Sequence, residues 1–142
     1  MKAMILAAGR GERMGELTRD IPKPLISARG KPLIEWHLEK LSTTGFKDIV
    51  INVCYLPEII KDFVGNGSKW KLNVTYSEEN PILETAGGIK NALSLLGEEP
   101  FAVINADIFS NFDYAKLQLI NLNNTCDGYL VLVRNPEHNQ AG

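Results

Sequence analysis

Cysteine is scarce. Cys54 and Cys126 stand far apart, form no C-x-x-C pair and have no metal-ligand spacing to His37 or His138. A disulfide framework and a Cys/His zinc site are thereby excluded, and the expectation is two buried thiols in a reducing compartment. Long apolar runs are missing as well. Nothing approaches the roughly 20 residues that span a bilayer. Ala3–Leu6 is too short for a signal-peptide core and leads into a glycine-rich loop rather than a cleavage site. A cytoplasmic location is expected. Charge of one sign is not in excess: 15 basic and 17 acidic residues leave a net −2, which excludes bulk affinity for nucleic acid or a membrane surface. No internal repeat, low-complexity tract or linker interrupts the 142 residues. One domain spanning 1–142 is expected, long enough to bury a core.

What is present is ordinary in bulk and uneven in detail. Hydrophobic residues make up 44% and charged residues 23%, the balance of a soluble globular chain. Residues 1–31, however, hold seven basic side chains (Lys2, Arg10, Arg13, Arg19, Lys23, Arg29, Lys31) against three acidic ones (Glu12, Glu16, Asp20). The net −2 thus divides into +4 there and −6 over the remainder. Positive charge gathered at one end suits a small anionic ligand.

That end contains the most informative stretch. The apolar run Ala3, Met4, Ile5, Leu6 reads as a buried strand, and it empties into Ala7-Ala8-Gly9-Arg10-Gly11-Glu12-Arg13-Met14-Gly15. Small residues let the backbone approach a ligand, and successive free N–H groups form an anion-binding concavity. Arg10, Arg13 and Lys23 add positive charge for phosphate oxygens. The spacing G-x-G-x-x-x-G is one residue longer than the dinucleotide fingerprint, and no Lys-Ser or Lys-Thr follows, so it is not the P-loop either. By itself such a loop is also compatible with a plain strand-to-helix connection.

The longer string is more specific. L-A-A-G-x-G-x-R-M, then Leu17-Thr18, then Pro22-Lys23-Pro24-Leu25 resembles the signature of the sugar-1-phosphate nucleotidyltransferases. The resemblance implies that the glycine loop wraps a nucleoside triphosphate and that Arg13 and Lys23 hold its phosphates. The ligand-contacting set it implies is Leu6, Ala7, Ala8, Gly9, Gly11, Glu12, Arg13, Lys23, Glu79, Gly88 and Asn105.

Further along, Pro32 is suited to open a helix, with Leu33, Ile34, Trp36, Leu38 and Leu41 as its apolar stripe and Gly45 as its C-cap. Trp36 is expected in the core rather than as a platform for a base. Ile49–Val53 is a continuous apolar strand of the kind covered on both faces. Pro57–Val64 is a short helix closed by Gly65, and Leu72–Tyr76 a third strand. Thr85–Leu96 reads as a helix with Ile89, Ala92, Leu93 and Leu96 inward. Gly87-Gly88 near its start costs about 1 kcal/mol per glycine relative to alanine. Either a ligand or a crowded helix–sheet contact would explain that cost. Phe101–Asn105 is a fourth strand, Asp113 caps a helix from Tyr114 to about Asn123, and Gly128–Val133 is a fifth strand. This alternation predicts an α/β fold: a Rossmann-like open, mostly parallel sheet with helices on both faces. Ligands of such folds bind beyond the carboxyl ends of the strands.

Asp107 follows the fourth strand by two residues. Asp113 is the better-placed helix cap, so Asp107 is read as a ligand for Mg²⁺, a hard ion that takes one or two carboxylates plus substrate phosphates. The resemblance agrees: family members carry a metal-binding aspartate here, usually after glycine, where this chain has Ala106. It implies in-line attack of a sugar 1-phosphate on the α-phosphorus of a nucleoside triphosphate, with pyrophosphate leaving. Arg13, Lys23 and Asp107 are its catalytic candidates. Pro81–Ile89, containing L-E-T-x-G-G-I, and the closing Asn135–Gly142 resemble the N-acetylmuramate-1-phosphate uridylyltransferases of cell-wall recycling. UTP and N-acetylmuramate 1-phosphate are therefore the favoured partners, and mannose-1-phosphate guanylyl transfer is the alternative.

Family members are longer and carry a second metal-binding aspartate, so the resemblance implies that a C-terminal part is lacking here. Weak nucleotide binding, poor catalysis by this chain alone and self-association through an uncovered sheet edge are expected. A non-catalytic nucleotide-binding module stays open. A dinucleotide-binding dehydrogenase is opposed by the glycine spacing and by Asn52, which stands where an acid would hold the ribose.

Overall fold

The computed structural model describes residues 1–120 and 126–134. In chain order its strands and α-helices are β1 (Lys2–Leu6), β2 (Ser27–Ala28), β3 (Lys31–Pro32), α1 (Leu33–Thr43), β4 (Asp48–Val53), α2 (Pro57–Val64), β5 (Asn73–Glu78), α3 (Glu84–Leu96) and β6 (Phe101–Asn105). Short 3₁₀ turns occupy Glu12–Thr18, Lys23–Leu25, Ser68–Trp70 and Tyr114–Leu119.

The main sheet has the order β5-β4-β1-β6, and every pairing in it is parallel. β1 is central, with Met4 in register with both Val50 and Val103. That position explains its unbroken apolar sequence: Ala3, Met4 and Ile5 are fully buried because both faces are covered. Ala3, Ile5, Ile49, Ile51 and Val53 pack with Ile34, Leu38 and Leu41 of α1 and with Ile60 and Val64 of α2. Met4 and Val50 pack with Ala92 and Leu96 of α3. Right-handed crossovers account for the division. The chain steps outward from β1 to β4 and β5, placing α1 and α2 on one face. It then returns across β1 to β6, which places α3 on the other.

Local rules hold at the element ends. α1 closes in a Schellman motif, in which Gly45 (φ 90°) donates to Ser42 O and Phe46 donates to Leu41 O. β2 and β3 form a hairpin whose Arg29-Gly30 turn has positive φ at both residues, as a type I′ turn requires. Asp113 caps the Tyr114–Leu119 turn by accepting from Ala115 N at 3.0 Å.

Several expectations are corrected. Gly128–Val133 is not a strand: it pairs with nothing among the described residues, and Leu130 is 79% exposed. β propensity is realised only through a partner ladder, and none of the described residues offers it one. Tyr114–Leu119 is a 3₁₀ turn rather than an α-helix, and 121–123 lie outside the described residues, as does Asn135–Gly142. Pro32 ends β3 with extended ψ, so α1 opens one residue later. Leu93 falls off the Gly88–Ala92–Leu96 line that meets the sheet and is 45% exposed. Trp36 is only half-buried: its Nε1 donates to Ala28 O at 2.9 Å, and the Lys31 ammonium sits 4.0 Å over its ring. Cys126 is exposed and only Cys54 is partly covered.

Candidate functional site

The chain leaves β1 toward β4 on one side and returns from β5 to β6 on the other, so a crevice opens at the carboxyl ends of β1 and β6, the position where open α/β sheets bind ligands. A cleft of about 170 Å³ lies there. Its floor is Leu6, Ala7, Ala8 and Gly9 after β1, with Asn105, Ala106 and Asp107 after β6. Its walls are Lys23 and Pro24 on one side and Asn52, Glu79, Ile82, Glu84 and Thr85 on the other. Where a Cβ would project from Gly9 there is open space, so a ligand can approach the backbone at that point.

The glycine loop is shaped by its own turn chemistry. Gly11 is left-handed (φ 68°), and a Cβ there would meet Thr18 Cγ2 at 3.0 Å and the Lys23 stem at 3.3 Å. The buried Thr18 hydroxyl donates to Gly11 O at 3.1 Å, folding the 12–18 segment back on the loop. Lys23 then reaches across the cleft to form an ion pair with Asp107. Two residues 84 positions apart are thus brought together, both partly exposed.

The opposite wall is built differently. Asn52, at the end of β4, accepts from Ala7 N through Oδ1 at 2.8 Å and donates from Nδ2 to Glu79 Oε1 at 2.7 Å. Glu79 Oε2 accepts from Leu83 N at 2.9 Å. Both side chains are buried, and both Glu79 oxygens are engaged within the protein.

Residues 2–140 match the family described as nucleotidyl transferase. The chain belongs to that family. It is 51% identical over its whole length to the N-acetylmuramate α-1-phosphate uridylyltransferase of Neisseria meningitidis serogroup B, and 34% identical to a mannose-1-phosphate guanyltransferase of Hypocrea jecorina. It spans 63% of the first protein's length and 40% of the second's. Among solved structures, Yersinia pseudotuberculosis HddC complexed with GMP-PN superposes with a TM-score of 0.72 at 34% identity, over 83% of this chain and 52% of that one. A UDP-glucose pyrophosphorylase complexed with UDP-glucose gives 0.68 at 26% identity, over 82% and 54%.

Of the residues singled out in the sequence, the cleft brings together Leu6, Ala7, Ala8, Gly9, Lys23, Glu79, Asn105 and Asp107. Gly11, Glu12, Arg13 and Gly88 do not line it. Arg13 and Glu12 lie exposed on the 3₁₀ turn beyond Gly11. Gly88 faces the protein: a Cβ there would stand 2.5 Å from Glu79 Oε1 and 2.9 Å from Asn52 Nδ2. Between the two explanations of the glycine pair, the crowded contact is the one seen at Gly88. Asn52 entered the sequence reading only as a missing acid. A polar residue inside the apolar run Ile49–Val53 was the available signal, because a buried amide must find partners.

Beneath Asp107 lies a second feature that the sequence did not reveal. His37 of α1 is buried, with Nδ1 2.8 Å from the Tyr114 hydroxyl. Burial, and then Lys40, hold its pKa below the ordinary 6.5, against smaller opposing effects of the Ala106 backbone and Asp107. Among the described residues its Nε2 has no hydrogen-bond partner in good geometry. Burial pushes the Tyr114 hydroxyl up to about 12.

The donors suit a magnesium ion in one respect. No cluster of three His, Cys, Asp or Glu exists among the described residues, so no all-protein cage is built here. Asp107 offers a single hard carboxylate at the cleft floor, the donor set of an ion that takes its remaining ligands from phosphates and water. No helix among the described residues is long and apolar enough to cross a membrane.

Proposed function

We propose that this chain carries the nucleotide-binding portion of a sugar-1-phosphate nucleotidyltransferase that moves UMP from UTP to a sugar 1-phosphate, N-acetylmuramate 1-phosphate by preference, releasing pyrophosphate. One observation carries the reading: the open backbone at Gly9, the Lys23 ammonium and the Asp107 carboxylate converge on one cleft at the switch point of the sheet. The 51% identity to the Neisseria uridylyltransferase supports the choice of base and sugar.

The chemistry needs no covalent nucleophile from the protein. Two anions must be brought together, and positioning with charge compensation suffices. Unit charges 4 Å apart repel by about 1 kcal/mol in water but about 4 at an effective dielectric of 20. Lys23 offsets part of that repulsion at the phosphates, and Arg13 is available to join it from the exposed 3₁₀ turn. Asp107 would hold Mg²⁺, which when bound neutralises phosphate-oxygen charge. The Ala7–Gly9 backbone receives the nucleotide with little steric cost. UTP and sugar phosphates are cytoplasmic metabolites, and the proposed location is the cytoplasm.

Guanylyl transfer is the second reading, favoured by the 34% identity to the Hypocrea guanyltransferase and by the likeness to HddC with GMP-PN. Calorimetric titration of UTP and of GTP, with and without Mg²⁺, tests both. Magnesium-dependent UTP uptake that weakens in Asp107→Ala supports uridylyl transfer, and preference for GTP supports the second reading. Nucleotide uptake without pyrophosphate release when sugar phosphate is added would make the chain a binding module. No uptake of either nucleotide refutes the reading for this chain.

A further inference from the structure

We propose that Asn52 and Glu79 are a positioning pair that locks the two lips of the cleft to each other. On this view Glu79 does not contact the nucleotide through its carboxylate. The inference deepens the nucleotide-binding reading and rests on it for its functional consequence.

The pair spans three separate segments. Asn52 Oδ1 takes the Ala7 N–H and so fixes the first residue of the glycine loop. Glu79 Oε2 takes the Leu83 N–H and so fixes the segment leading into α3, which supplies Ile82, Glu84 and Thr85 to the cleft. The Asn52 Nδ2 to Glu79 Oε1 bond joins the two anchors at 2.7 Å. Glu79 is also held by its backbone, its N–H donating to Val53 O at 2.9 Å. A buried carboxylate with no charged partner is costly, and it is tolerated when hydrogen bonds satisfy its oxygens. Here each oxygen receives one bond from within the protein, so the carboxylate serves as a double acceptor joining two loops. Gly88 completes the arrangement. α3 forgoes the greater helix propensity of alanine there, and the absent Cβ leaves the space that both polar side chains occupy.

The polarity of the pair can be reversed, which provides the test. In Asn52→Asp the new carboxylate still accepts from Ala7 but faces Glu79 without a proton between them. In Glu79→Gln the side chain has one acceptor oxygen for two incoming donors. In the double variant Asn52→Asp/Glu79→Gln the carboxylate at 52 accepts from Ala7 and from the new amide, whose oxygen accepts from Leu83. Every bond is then restored at unchanged net charge.

Amide hydrogen exchange at Ala7 and Leu83 is measured in the four proteins, with the Ile51 amide reporting global opening, alongside UTP affinity in Mg²⁺. Each single variant is expected to speed exchange at both amides by about tenfold relative to Ile51, including the amide its own substitution does not touch. Each is expected to weaken UTP binding about fivefold or more, and the double variant to recover both readouts to within about twofold. An effect confined to the amide beside each substitution, or a double variant no better than the singles, overturns the proposal. So does loss of loop protection with UTP affinity unchanged. If the wild-type chain takes up no nucleotide, the functional reading falls, while the exchange cycle still decides whether the two lips are coupled.

Discussion

Replacing Gly88 by alanine sets two known effects against each other. Alanine is the better helix former by about 1 kcal/mol, so in an unobstructed helix Gly88→Ala would stabilise. In α3 the added Cβ would lie 2.5 Å from Glu79 Oε1 and 2.9 Å from Asn52 Nδ2, closer than such atoms approach. Either the helix moves off the sheet or the carboxylate moves off its partners. Overpacking of a fitted core costs about 1–3 kcal/mol. Breaking a hydrogen bond to a charged group costs about 1.5–3 kcal/mol. Subtracting the propensity gain from either cost leaves a net destabilisation of up to about 2 kcal/mol, which for a chain of this size lowers Tm by up to roughly 8 °C. Urea denaturation followed by circular dichroism measures it, with exposed Ser94→Ala as the control in the same helix. That control should gain a few tenths of a kcal/mol by propensity alone. A Gly88→Ala protein more stable than wild type, showing the propensity gain unopposed, would refute the close contact between α3 and the Asn52–Glu79 pair.

Three further outcomes are expected. Lys23→Met should weaken UTP binding about tenfold or more through the lost phosphate charge, yet leave stability within about 1 kcal/mol, because its ion pair with Asp107 is partly exposed and such pairs contribute little; unchanged affinity by calorimetry would remove Lys23 from the site. His37 is held below its ordinary 6.5 by burial, so the unfolded chain binds its proton first, and stability present above that pH is lost as pH falls below it. Urea midpoints between pH 7.5 and 5.5 should therefore fall more steeply for wild type than for His37→Gln, and equal slopes would contradict this. The exposed apolar tract Tyr129–Val133 and the outer edge of β6, which is unpaired among the described residues, should drive self-association; Leu130→Lys/Leu132→Lys should shift the mass seen by light scattering toward the monomer, and an unchanged mass would exonerate the tract.

Much of this protein is encoded within reach of a few residues. The apolar run into Ala7–Gly15, the helical spacing of Ile34, Leu38 and Leu41, the Gly45 cap and the carboxyl-edge position of Asp107 are local signals, and the folded chain keeps them. Their physical basis is short-range: dihedral freedom, side-chain periodicity and capping need no knowledge of the rest of the chain. Other features arise only when distant segments meet. Nothing local says that Lys23 will face Asp107 across 84 residues, or that Asn52 will bridge Ala7 and Glu79. Those contacts follow from the β5-β4-β1-β6 order and its parallel pairing, which bring the carboxyl ends of the strands to one edge. The same dependence on partners explains the errors. Gly128–Val133 has the composition of a strand but no described neighbour to pair with, and Leu93 has the apolarity of a core residue but no described surface covering it. Composition determines what a segment is able to bury or bind, and tertiary neighbours decide whether it does.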